Sequence, residues 1–186
     1  MRPPRRLIGV VLFILLLLAV FELTGSRAHF NVVSLQQTIR EHPASGLLIF
    51  IASFALGNLV QIPGWVFLAA AVLALGQLWG GVVTYIAACI SCIVTFFTIR
   101  LVGGDTLRQL DSKVAARLLG RLDARPVTSI LLLRGLFQTA PVLNYTLAVS
   151  GVRFSAYLTG TLLGLPIPIA VYCVFFDYLA KVLKIA

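Results

Sequence analysis

No charged residue occurs from Ala44 to Ile99. A stretch of that length cannot be turned toward water, so lipid has to be its solvent. A membrane-spanning helix takes roughly 20 residues, which makes the stretch too long for one helix and too short for three. Charge is scarce elsewhere too. Only 11% of the chain is charged and 60% is hydrophobic, against about 25% charged in a soluble domain. That balance excludes an ordinary water-soluble enzyme, a disordered chain and a nucleic-acid binder. The net charge of +9 comes from 15 Lys+Arg against 6 Asp+Glu. These basic residues sit at the edges of apolar runs, where they set membrane orientation and attract anionic lipid.

The chain of 186 residues holds about five to seven hydrophobic elements. The first apolar run, Leu7 to Leu23, follows Arg2, Arg5 and Arg6. It reads as an uncleaved transmembrane helix with a cytoplasmic N-terminus. A cleaved signal peptide, with Ser26 and Ala28 before the cut, is the alternative. Gly25 to Pro43 is a polar outer loop that carries both histidines, His29 and His42. Ser45 to Val60 is too short to cross, and Gln61-Ile62-Pro63-Gly64 breaks it. Trp65 to Leu75 is another short run, ended by Gly76. Gly80-Gly81 then opens a full-length run, Val82 to Ile99.

Leu107, Leu110, Val114, Leu118 and Leu122 recur at steps of three and four, with Arg108, Lys113, Arg117, Arg121 and Arg125 between them. This predicts one basic amphipathic helix over Gly103 to Arg125 on the cytoplasmic surface; a soluble helical connector is the plainer reading. Val127 to Ser150 is again short and broken at Pro141. Phe154 to Phe176 is long enough to span, with kinks at Pro166 and Pro168.

The two halves repeat a pattern: short apolar run, proline break, second short run, glycine, full span. The proline-to-glycine distances are 13 residues for Pro63–Gly76 and 10 for Pro141–Gly151. Paired interrupted segments of this kind point to a binding site at the midplane of a transporter-like fold. The fold class expected is therefore an all-α integral membrane protein. It consists of two inverted units, each a re-entrant helical hairpin plus a transmembrane helix. Residues 1–43 form the N-terminal transmembrane helix and outer loop, and 44–176 the membrane domain. That domain divides into a first unit 44–100, an amphipathic connector 101–126 and a second unit 127–176, before a short tail 177–186.

Few residues inside the apolar runs carry chemistry. Arg134 is the one basic residue there. A buried charge in hydrocarbon is costly, so Arg134 should face a wet cavity, a partner or a lipid phosphate, unless it snorkels to the cytoplasmic interface. Asn58, Gln61 and Asn144 are candidates to line a polar path, or to cap the broken helices. Pro63, Gly64, Pro141 and Gly151 are expected to shape the breaks and the packing. Cys89 and Cys92 fit helix packing, since a thiolate is disfavoured in a dry apolar setting. The residues offer no catalytic constellation, no metal site and no cofactor site.

Arg134, Pro141, Asn144-Tyr145, Val152-Arg153-Phe154, Tyr157 and Leu162-Leu163-Gly164-Leu165-Pro166 together resemble the second re-entrant region of the DedA-like, VTT-domain membrane proteins, also called SNARE-associated Golgi proteins. Ile62-Pro63-Gly64 through Gly76 and Gly80-Gly81 resemble the first. The resemblance spans about Ser45 to Tyr172. It implies two opposed re-entrant hairpins and a role in moving lipids across the bilayer. It implies membrane lipids as partners, anionic or phosphate-bearing, with a homo-oligomer possible. Many members carry an acid in the first element, where this chain has Gln61; the family also often has one more C-terminal helix. The expected function is translocation of lipids or lipid phosphates between leaflets by a multi-pass protein of the bacterial inner membrane. The competing readings are a small-ion or solute transporter on the same scaffold and a non-transporting assembly protein.

Overall fold

Chains in lipid must satisfy their backbone hydrogen bonds internally, and helices do so within one segment. The computed structural model describes residues 43–109 and 113–183, with Gly9, Leu12, Phe13, Leu15, Leu16 and Ala19 of the first apolar run. The described residues contain helices and no strand. The N-terminal transmembrane helix and the outer loop fall mostly outside the described residues.

Helix α1 (Pro43–Leu59) leads through a short turn to α2 (Gly64–Gly103). A 3-10 turn (Thr106–Gln109) and α3 (Lys113–Ala124) form the connector. Then come α4 (Pro126–Phe137), α5 (Pro141–Ala148), α6 (Phe154–Gly164) and α7 (Pro166–Val182). The single surface helix expected over Gly103 to Arg125 is thus two elements. Gly104, with φ 56°, stops α2 ahead of both. The last span bends at Leu165, just before Pro166, and runs on to Val182.

Helix α2 is counted as 40 residues, yet Gly76 inside it has φ 80° and ψ 174°. A Cβ placed on Gly80 would stand 2.7 Å from Ala71 O and from Val72 N and Cα. A continuous helix would hold those residues about 12–13 Å apart at 1.5 Å per residue. The chain therefore turns sharply at Gly76, as the short run Trp65 to Leu75 requires, and only the portion beyond Gly76 makes a long rod.

The breaks in the two halves share a backbone signature. Gln61 (φ 65°) and Gln138 (φ 50°) are the non-glycine residues with positive φ among those described, and Gly76 (φ 80°) and Gly151 (φ 78°) mark the second turn of each half. At the end of α1, Ile62 N bonds Gly57 O at 2.8 Å and Gln61 N bonds Asn58 O at 3.3 Å. That is the Schellman pattern, with glutamine in the position usually held by glycine. At the end of α4, Ala140 N bonds Phe137 O at 3.0 Å, and Gln138 (φ 50°, ψ −123°) sits first in a tight turn that again favours glycine.

Two clusters hold the helices together. In the first, the Phe54 and Phe67 rings lie 4.7 Å apart and Phe50 meets Phe67 edge-on at 6.2 Å. Leu165, Ile169 and Cys173 close this cluster from the far end of the chain. In the second, Phe96 lies 4.5 Å from Tyr157, with Ile130 and Leu147 around them. Helix α6 approaches α4 through Gly160 and Gly164. A Cβ on either would stand 2.7 Å from Ile130 or Arg134 side-chain carbon. This small-xxx-small spacing lets backbones approach closely in lipid. The outer faces of α2 and α7 expose Leu78, Val82, Phe97, Ile167, Val171 and Phe175. Gly64–Gly103 and Phe154–Val182 are both long and apolar enough to cross a membrane.

Left-handed backbone at a residue with a side chain stores about 1–3 kcal/mol. Gln138→Gly should therefore raise the apparent unfolding temperature in detergent, corresponding to about 1 kcal/mol after glycine's greater chain entropy is subtracted. A lower unfolding temperature would mean that the Gln138 side chain itself holds the turn.

Candidate functional site

The two proline breaks meet. Gly64, at the start of α2, faces Thr139 so closely that a Cβ there would overlap the Thr139 hydroxyl. Asn58, in the last turn of α1, accepts a hydrogen bond through Oδ1 from Asn144 Nδ2 at 3.0 Å. Tyr145 OH donates to Leu59 O at 2.5 Å, one of the carbonyls that the end of α1 leaves open.

A polar chain runs on from this junction through the protein. The Cys92 thiol donates to Asn144 Oδ1 at 3.6 Å. Tyr157 OH donates to the Cys92 carbonyl at 3.0 Å and accepts from Arg134 Nη2 at 2.9 Å. Arg134 Nη1 donates to Gln138 O at 3.1 Å, so it caps the carbonyl that the second break sets free. Arg134 Nε donates to Thr161 Oγ1 at 3.2 Å. Arg134 and Asn144 are each 0% exposed and Asn58 is 1% exposed.

The electrostatics are unusual. A guanidinium stays charged in proteins, yet every partner of Arg134 is neutral. Its Cζ lies 5.4 Å from the Tyr157 ring centroid, and the ring's negative face offsets part of the charge. A charge at the membrane centre costs roughly 3 kcal/mol on insertion scales. Near the other end, Asn58 Nδ2 is buried without a hydrogen-bond partner among the described residues, as are Thr84 Oγ1 and Thr95 Oγ1. An unpaired buried donor is rare enough to need a reason.

The structure brings Arg134, Asn144 and Asn58 into this one network. Arg134, expected to face a wet cavity, a partner or a lipid phosphate unless it snorkels, is enclosed by protein and is 0% exposed. Gln61 lies half-buried on the first turn, where its side chain reaches the Tyr145 hydroxyl. Pro63, Gly64 and Pro141 flank the junction. Gly151 does not belong to it; it turns the chain beneath Arg108, whose Nε would stand 2.5 Å from a Cβ there. Sequence reasoning missed Thr161 as a partner of Arg134 and gave Cys92 only a packing role. Thr161 follows Tyr157 by four residues, one helical turn along the same face, and that spacing was the available signal.

Two cavities stand apart from the network. One, of about 420 Å³, lies between α2 and α7 against Gln77, Tyr85, Pro166 and Ile169. The other, of about 320 Å³, lies beside the connector. Among the described residues no group of three or more His, Cys, Asp or Glu could hold a metal.

The family model described as VTT domain matches residues 62–178. The chain belongs to the VTT-domain family. That is the DedA-like membrane family which the Arg134 to Pro168 stretch resembles, and the match takes in Gly64, Arg134, Thr139 and Asn144. No curated protein and no solved structure matches the chain. Asn58 lies just before the matched residues, so the junction joins the VTT domain to the helix preceding it.

Leaving one asparagine unpaired at this junction should cost about 1–3 kcal/mol. Asn144→Ala and Asn58→Ala should each lower the unfolding temperature in detergent, and the double variant should lose less than the sum of the two. The expected coupling is about 1 kcal/mol. Additive losses would mean that the two breaks are not joined through these side chains.

Proposed function

We propose that the protein helps lipids or lipid phosphates cross between the leaflets of the bacterial inner membrane, through which it passes several times. In this reading the two proline breaks are the tips of opposed re-entrant hairpins. The observation that carries the reading is the buried polar chain from Arg134 to Asn58, placed where the two breaks meet in an otherwise apolar protein. Hydrocarbon selects against such groups, and those that persist mark a pathway by default. Membership of the VTT-domain family supports the same reading.

The proposed mechanism uses three features. The short helices shorten the hydrophobic barrier locally. Arg134, which has no carboxylate to neutralise it, receives the phosphate through charge-assisted hydrogen bonds when α4 and α6 part. Asn58, Gln61 and Asn144 then carry the headgroup past the junction, while the tails stay in lipid against the exposed faces of α2 and α7. A proton-driven version finds no acid between Ala44 and Ile99.

Reconstituted vesicles test this. Fluorescent phospholipid, or a polyprenyl phosphate, should reach the outer leaflet several times faster than in protein-free vesicles. Arg134→Ala should bring the rate down by about tenfold, the effect of one lost charge-assisted contact of about 1.4 kcal/mol. Tyr157→Phe, which keeps the ring and removes one partner of Arg134, should slow it less. Wild-type rates in a folded Arg134→Ala variant would remove the assigned role. Solute uptake driven by an ion gradient, without lipid movement, would favour a transporter; neither activity would favour an assembly protein.

A further inference from the structure

The cavity beside the connector is lined by charged side chains and by helix starts. Arg108 and Asp123 line it from the connector, Pro126 from the start of α4, and Gly151, Arg153 and Ala156 from the opposite wall. Two helices therefore begin at its edge, and neither has a side-chain cap. In α6 the hydrogen bond from Tyr157 N to Arg153 O opens the backbone ladder. The amides of residues 154–156 thus have no acceptor within the helix.

Charge in the cavity is unbalanced. Arg108 Nη1 and Nη2 donate to Asp123 Oδ2 and Oδ1 at 3.1 and 2.6 Å. The hydrogen bonds from Arg108 hold the Asp123 carboxyl below the usual carboxylate range, so that carboxylate stays ionised and stays occupied. Arg153 is exposed and has no side-chain partner among the described residues. Asp105 also adjoins Gly151 and is paired with Arg100 at 3.0 Å, so three guanidiniums stand against two carboxylates, and with helix starts adding partial positive charge the recess is electropositive at Arg153.

We propose that this recess binds a phosphate group, with Arg153 as the residue that grips it and the Arg108–Asp123 pair as the wall that keeps the recess open. A phosphate offers several acceptor oxygens to a planar guanidinium fork and to helix-end amides together. The volume admits a phosphate ester as well as the bare ion. The site is separate from Arg134, and binding is measured without lipid movement. Its failure would leave the translocation reading standing, and the converse also holds.

Native mass spectrometry of the full chain in neutral detergent, titrated separately with short-chain phosphatidic acid and with inorganic phosphate, tests the site. Arg153→Gln should weaken binding by about fivefold or more, the loss of a charge-assisted contact. Arg121→Gln removes the same charge from an exposed connector position outside the cavity, and should leave affinity within about twofold. Arg153→Lys should fall between them. If both probes bind with this pattern, the site reads phosphate whatever its source; if phosphatidic acid alone does, it reads a lipid headgroup. Equal losses for Arg153→Gln and Arg121→Gln, or no binding by the wild type, would overturn the proposal.

Discussion

A broken helix in hydrocarbon has nowhere outside the protein to send its freed amides and carbonyls. The breaks at Gln61 to Pro63 and at Gln138 to Ala140 serve each other. Tyr145, just past the second break, donates to Leu59 O at the first. Asn144 and Asn58 join across the same gap, and Arg134 turns one N–H onto the carbonyl of Gln138. The close contact of Gly64 with Thr139 follows from this mutual arrangement. So does the burial of polar side chains that membrane interiors otherwise exclude.

Arg134 is structural and electrically unsatisfied at once. Each of its three nitrogens makes a hydrogen bond, to Thr161, Gln138 and Tyr157, which satisfies three of its five N–H donors and helps the fold tolerate it. Its charge is matched by no acid among the described residues. The same side chain packs its Cβ against Gly164, so the close approach of α6 to α4 and the position of the charge are one fact. A side chain in place of that glycine would press on both the Arg134 Cβ and the Leu131 backbone.

Much of this was legible in the residues. The uncharged stretch from Ala44 to Ile99 dictated helices in lipid, and Pro63, Gly76, Pro141 and Gly151 marked all four turns. Gln61 and Gln138 adopt similar unusual φ values that no propensity scale would assign to glutamine. The connector was misread as one helix, since the apolar periodicity from Leu107 to Leu122 runs through a 3-10 turn and a separate helix alike. The partners of Arg134 were not legible. Tyr157 and Thr161 lie 23 and 27 residues from it; their four-residue spacing puts them on one helix face, but that this face meets α4 is decided by tertiary packing.

The bond between Asn58 and Asn144 closes a separation of 86 residues. During synthesis the first break is made long before the second exists. Until residues 138–145 emerge, Leu59 O and the Asn58 amide must stay hydrated at the edge of the insertion machinery, or borrow bonds from it.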